Sequence, residues 1–241
     1  MKIPELNFRI FLFLDEGIQL NSAISAKGLC AATATYFSSH GYFVSRNFEI
    51  PGKKSIDLVC IMPRLSDLKK RIKSKYFIPS GILYTLINHE GKTTEEIAIE
   101  IGSNTPFVIS ALEEISEEGW VEKSNKGDKI LWRLKDYRIP SKDCVMAHCR
   151  YIECMDFFEE MSEFDGCYNK LYFVFPYPID EEFMDLCYEK GVGILIFYEK
   201  IGFFKELLPA ELKTVTNLKV YTNLCEVIIK ENLLYKSIDS I

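Results

Sequence analysis

Ser110-Ala111-Leu112-Glu113-Glu114-Ile115-Ser116-Glu117-Glu118-Gly119-Trp120-Val121-Glu122-Lys123 changes its hydrophobic period midway. Up to Glu118 the apolar residues keep helical spacing, and with Val108 upstream, Leu112 and Ile115 are placed for burial on one face. Gly119 stops the helix, and Trp120 to Lys123 then alternates as a strand does. A second alternating run, residues 129–134, follows a polar stretch at 124–128. Upstream, Asn104 or Thr105 is placed to cap the helix and Pro106 falls in its first turn. Gly102 ends a shorter helix that opens on Thr93-Thr94-Glu95-Glu96 and buries Ile97, Ala98 and Ile101. Before Gly91, Pro79 opens a helix to about residue 88 with Ile82, Leu83, Leu86 and Ile87 as its stripe. Residues 76–139 therefore read helix, helix, helix, hairpin.

That order, with the quoted phrase as third helix and first wing strand, resembles the winged-helix proteins over about a quarter of the chain. The resemblance implies double-stranded DNA as a partner, with the third helix entering the major groove by its first turns. The residues it points to are Ser103, Asn104, Thr105 and Ser110, with Lys92 ahead of them, and Lys123, Lys126 and Lys129 on the wing for phosphates. Lys69, Lys70, Arg71 and Lys73 belong to the most basic run, residues 68–75, which reads as a linker or a short solvated helix and could extend the same surface. Against this stand Glu113, Glu114, Glu117 and Glu118 on the third helix, Phe107 and Ile109 near its start, and no arginine there to read guanine. The alternative is a packing face for another protein or for a second copy of the chain in a homodimer.

The flanks follow a different pattern. A helix from a cap at Asn21 to about Ser39 is followed by Gly41, a strand over 42–50, a turn at Pro51-Gly52 and a nearly continuous apolar strand over 55–62 interrupted by Asp57. After Pro140 come a strand over 144–151, a helix to about 165, a strand over 170–176, a helix over 180–190, a strand over 192–198 and a helix-rich tail in which 218–229 could be either type. The expected class is α/β (α+β), a mixed sheet with flanking helices. Its parts are residues 1–64 and 141–241, interrupted by a winged-helix domain at 65–140.

Helix, hairpin ending in Ile56-Asp57-Leu58-Val59, third strand, helix, then Leu171-Tyr172-Phe173-Val174-Phe175-Pro176 and Gly191-Val192-Gly193-Ile194-Leu195-Ile196 resembles the restriction-endonuclease-like, or PD-(D/E)XK, superfamily. The resemblance implies a carboxylate on the second strand, where Asp57 stands, and an acid-x-lysine on the next strand, together holding Mg²⁺. The next strand, Cys144 to Tyr151, has neither acid nor lysine. Glu153 lies just beyond it, but Met155 stands where the lysine should be. Asp67-x-Lys69 and Glu211-x-Lys213 have the spacing in the wrong settings. The expectation is a degenerate motif with no catalytic residue beyond the weak candidate Asp57, and Mg²⁺ only if the chain is a nuclease. Asp57 reads either as half of a salt bridge, with Arg46 opposite it in one hairpin register, or as a metal ligand or its relic.

Bulk properties bound these readings. A net charge of −6 requires any nucleic-acid contact to be a local basic patch on an acidic body. The eight cysteines sit mostly in apolar runs and read as reduced core thiols. Cys144, His148, Cys149 and Cys154 match no common closed zinc spacing. The apolar segment 8–14 is too short for a bilayer and carries Arg9, so it reads as a buried strand. No membrane association is expected, and the cytoplasm is the expected location.

Overall fold

A computed structural model of the chain describes residues 24–49, 54–73 and 80–238. The expected strand at 8–14, the Asn21 cap, the Pro51-Gly52 turn and the Pro79 helix start lie outside them. Ser25 caps the first helix instead, its Oγ accepting from Gly28 N–H at 3.2 Å. This helix, α1 (Ala26–Ser39), leads into β1 (Phe43–Phe48) and β2 (Ile56–Pro63).

β1 and β2 pair antiparallel, and β2 pairs antiparallel with β5 (Ser141–Cys149), although everything from Arg64 to Pro140 lies between them in sequence. β5, β6 (Lys170–Phe175) and β7 (Gly193–Tyr198) are parallel. Their crossovers carry α6 (Asp156–Ser162) and α7 (Glu181–Glu189). The expected helix-rich tail contains a strand, β8 (Phe203–Leu208), antiparallel to β7 at the sheet edge. The stretch that could not be typed is helical, α8 (Leu218–Ile238). The result is a six-stranded mixed sheet of order β1-β2-β5-β6-β7-β8.

The near-continuous apolar strands are covered on both faces, as their composition requires. On one face α1 supplies Leu29 and Phe37 against Leu58, Cys60, Val145, Ala147 and Val174. On the other, α6, α7 and α8 bring Met161, Phe183, Leu224 and Ile228 against Val59, Ile61, Met146 and Phe173. Both parallel crossovers run on this second face, as right-handed connections along one direction of a sheet must.

Between β2 and β5 the chain forms α2 (Leu65–Lys73), α3 (Ser80–Leu86), α4 (Thr94–Ile101), α5 (Thr105–Glu117), β3 (Val121–Lys126) and β4 (Lys129–Leu134). The last five make the winged-helix order. Thr93 and Glu96 close a capping box on α4, and Gly102 takes the left-handed cap at φ 66° that a β-carbon would strain. Asn104 caps α5 by accepting from Phe107 N–H at 2.9 Å. These elements bury their own core, including Leu83, Leu86, Ile97, Val108, Leu112, Ile115, Trp120 and Trp132. The segment returns to where it left: Arg64 N–H donates to Pro140 O at 2.8 Å, and Ile139 packs against both cores.

The basic run forms a helix, α2, that is not solvated all round. Leu68 enters the sheet's core and Arg71 is 8% exposed. Arg71 Nε donates to Glu226 Oε2 on α8 at 3.1 Å, its Nη2 donates to Oε1, and Tyr137 Oη donates to the same Oε1 at 2.8 Å. The guanidinium lies over the Trp120 and Tyr137 rings, 4.9 and 5.5 Å from their centroids. Ser80 Oγ adds a bond to Asn223 Oδ1 at 2.8 Å. The winged-helix elements are thus fastened to α8 by a buried charge cluster and a polar rim.

Candidate nucleic-acid interface and the Asp57 corner

The first turn of α5 is open. Asn104, Pro106 and Phe107 are exposed, and Ser103 and Thr105 half-buried. Asn104 already spends its carboxamide oxygen on the cap, and the Ser110 hydroxyl leans toward Glu114 at 3.5 Å. The rest of the solvent face carries Ile109, Glu113, Glu114 and Glu117. Phe107 and Ile109 are both outside the core, at 55% and 40% exposure, as are Ile99 on α4 and Ile130 on β4. Residues 80–139 hold seven Lys and Arg against eleven Asp and Glu, so this part alone carries −4 of the chain's −6.

The basic candidates divide into three groups. Arg71 is sealed against Glu226 and cannot reach a phosphate, which corrects its assignment to the surface. Arg71 shares a face of α2 with buried Leu68, and that face is turned to Glu226 and Tyr137. Lys70 is half-buried, with its ammonium 4.0 Å from the Trp120 centroid and 3.4 Å from Gly119 O, while Lys69 is exposed and the Lys73 side chain lies outside the described residues. Lys92 and Lys123 are held by acids. Lys92 pairs with Glu100 and its backbone exchanges both hydrogen bonds with Trp132, adding a bridge to the wing. Lys123 meets Glu113 of α5 at 3.2 Å, which sets the hairpin alongside the helix.

Lys126 and Lys129 form the third group. The loop between β3 and β4 is only Gly127-Asp128, shorter than the 124–128 stretch the sequence suggested, with Gly127 at φ 64° in the first central position. So tight a turn makes Lys126 and Lys129 direct cross-strand partners. Both are exposed, and neither is in a salt bridge with a described residue, although Lys129 helps hold the Glu96 carboxyl below its ordinary value, behind the Thr93 N–H bond.

Asp57 sits at the other end of the molecule's chemistry. Arg46 is registered against Leu58, not against Asp57, so the expected partner is not the one used. The partners come from the end of β5 and the residue just after it. Cys149 N–H donates to Asp57 Oδ2 at 3.0 Å, His148 Nδ1 lies 3.4 Å and Arg150 Nη1 3.6 Å from the same oxygen. Burial pushes the carboxyl up, but His148, the Cys149 N–H and Arg150 together outweigh it and hold it below its ordinary value. Burial in turn lowers His148, so the imidazole is neutral at neutral pH. Its Nδ1 is 3.0 Å from Arg150 Nη2 and cannot both accept there and donate to Asp57. The shorter contact and the neutral ring favour acceptance from Arg150, so the His148 ring orients the guanidinium beside Asp57.

Arg150 also reaches Glu160 of α6 at 3.4 Å and lies over Phe157, while Lys54 takes the other Glu160 oxygen at 2.8 Å. The end of β5 thus presents His148 to Asp57, and the residue just after the strand presents Arg150. The sequence reading missed both partners; the signal was their position on the strand after Asp57, with the whole intervening segment hiding it. One carboxylate ringed by cationic and N–H donors does not fit Mg²⁺, which takes several oxygen ligands. Beside the corner lies an open cleft of about 870 Å³, walled by Lys27, Cys30, Arg46, Asp57, Cys149 and Glu231.

No family model matches the chain, and no curated protein matches it. Among solved structures, the chain is similar to the homodimeric winged helix-turn-helix DNA-binding domain of a possible ArsR-family transcriptional regulator from Mycobacterium bovis. The identity is 24% over 29% of this chain and 66% of that one, just under two thirds of its length, with a TM-score of 0.25. It is also similar to ZitR from Lactococcus lactis in complex with DNA, at 17% identity over 48% of this chain and 68% of that one, with a TM-score of 0.24.

Proposed function

We propose that the chain is a non-enzymatic, regulator-like protein that binds double-stranded DNA through the start of α5 and the wing tip. One observation carries the reading: the two-residue turn sets Lys126 and Lys129 face to face beside solvent. Like charges directly opposite on a hairpin cost stability, and a bridging anion such as a phosphate removes that cost. The open start of α5 supplies Ser103 before the cap, Thr105 in the first turn and Ser110 in the second as short polar side chains for base edges. On this reading residues 65–140 are an insert in a nuclease-like body made of 1–64 and 141–241. The direct β2–β5 pairing and the meeting of Arg64 with Pro140 support that division. The Asp57 corner supports a body that no longer cuts, because its one carboxylate is met by a guanidinium, an imidazole and a backbone N–H rather than by further acids.

The test is a mobility assay of duplex DNA across a salt series. Affinity should fall as salt rises, and Lys126→Ala with Lys129→Ala should lower the slope by about one per lysine. Absence of binding at the lowest salt would end the proposal. A second reading has its own support: the exposed Phe107, Ile109 and Ile99 beside Glu113, Glu114 and Glu117 make a face suited to a protein or to a second copy of the chain. Sedimentation of the wild type and of Phe107→Ser separates the two, since only the second reading makes self-association depend on that ring.

A further inference from the structure

Five of the eight cysteines, Cys60, Cys144, Cys167, Cys187 and Cys225, are buried in the two cores that flank the sheet. Burial pushes the thiols of Cys60, Cys144 and Cys225 up, and that of Cys187 up to about 12, so they are poor nucleophiles. Cys30 and Cys149 differ. Both are half-buried and both wall the open cleft beside Asp57. Cys30 projects from α1 and its Sγ lies 3.8 Å from Asp57 O, while Cys149 ends β5 with its Sγ 3.6 Å from Thr33 Oγ1. Asp57, which takes Cys30 Sγ at its carbonyl and the Cys149 N–H at its carboxylate, and Thr33, one helical turn from Cys30, gather the two cysteines on one wall of the cleft.

We propose that Cys30 and Cys149 form an oxidative modification site that takes a small peroxide and closes to an intramolecular disulfide. Cys30 is the attacking thiol. Its thiolate displaces hydroxide from hydrogen peroxide, giving a sulfenic acid at Cys30, and the hydroxide takes up the proton as water. The Cys149 sulfur then attacks the sulfenic sulfur, its own proton leaves with the departing oxygen, and a second water is released. Two thiols are oxidised by two electrons and one peroxide is reduced to two waters. The roles follow from the environment. The neighbouring Cys149 lowers Cys30, helped by Arg46 and opposed by burial and Asp57, whereas the neighbouring Cys30 and burial raise Cys149. The cleft admits a molecule of that size, and the pairing ties α1 to the end of β5, next to His148 and Arg150.

The test treats the full chain with a small excess of hydrogen peroxide, alkylates the remaining thiols and maps disulfide-linked peptides by mass spectrometry without reduction. The expected result is loss of two of the eight free thiols, a single Cys30–Cys149 cross-link and full recovery of both thiols with dithiothreitol. In Cys149→Ser, Cys30 should accumulate as a sulfenic acid trapped by dimedone. In Cys30→Ser, Cys149 should oxidise far more slowly than in the wild type. Cross-links between other cysteines or between chains, or equal oxidation of Cys149 with and without Cys30, would overturn the proposal. The wild-type map stands without either variant, so a folding defect in one of them does not rescue it.

Discussion

Arg71 and the wing-tip lysines occupy opposite extremes of the environments a cation meets in this fold. Arg71 is enclosed by Glu226, Tyr137 and Trp120, with two nitrogens bonded to one carboxylate. Lys126 and Lys129 stand in solvent and face each other across a two-residue turn. Enclosure makes the first charge a structural joint: it has no freedom to meet a ligand, and it is tolerable only while its partner remains. Exposure makes the second pair a small repulsion that a ligand can relieve. A count of positive residues would place both in one basic surface, but only the local dielectric and the nearest carboxylate tell a joint from a contact.

The largest expected effect therefore belongs to the joint. Arg71→Met should lower the free energy of unfolding by about 3–5 kcal/mol, because Glu226 is left as a buried carboxylate with only the Tyr137 hydroxyl. Urea denaturation reads the change as a lower midpoint. Combining it with Glu226→Leu should return most of the loss, since an apolar pair of similar volume can replace a buried ion pair. A double variant as unstable as the single one would mean that packing around α2, rather than charge, holds the winged-helix elements to α8.

The Asp57 corner lies between the extremes, partly buried and partly solvated, and its signature is pH. Asp57 has a folded pKa below its ordinary 3.8, so it adds stability above 3.8 that is lost as pH falls through the lower, folded value. His148 is lowered from 6.5, chiefly by burial, so the unfolded chain takes up its proton first and stability declines from pH 6.5 downward. Both slopes have the same sense. Asp57→Asn should cost about 1 kcal/mol at neutral pH, discounted for the partial exposure of the corner. It should also flatten the loss below pH 3.8. His148→Gln should flatten the decline that begins near 6.5. Stability measured by denaturant titration at a series of pH values checks both, and an unchanged acid limb in Asp57→Asn would remove the carboxylate from the account.

The winged-helix order was legible because local chemistry punctuates it. Thr93 with Glu96, Gly102 at positive φ, Asn104 before Pro106 and Gly119 each satisfy or release backbone groups within a few residues of themselves. The mixed sheet was legible in outline for the same reason. What escaped depends on distant pairing. The partners of Asp57 sit at and just beyond the end of β5, across the whole intervening segment. The inward turn of Arg71 depends on Glu226 of α8, whose own type could not be read because Tyr221, Leu224, Cys225, Ile228 and Ile229 bury one face while its other residues give no clear polar stripe. β8 was missed because an edge strand buries only part of its surface and so shows a weak pattern. The turn at Gly127-Asp128 needed the register to show that two lysines meet there.

The smallest expected effect tests the contact side of the comparison. Lys126→Glu replaces a like-charge pair by an opposite-charge pair with Lys129, in a geometry the tight turn already fixes. The hairpin should gain stability, on the order of a few tenths of a kcal/mol, because an exposed pair is screened by solvent. Low salt should enlarge the gain and high salt erase it. The same substitution should weaken duplex binding more than Lys126→Ala does, since it adds a repelling charge as well as removing an attracting one. Stability and binding would then move in opposite directions from one residue, which a merely solvated turn cannot produce. At Arg71 no substitution should do this, because removing a buried charge lowers stability first and disturbs binding only through the displaced winged-helix elements.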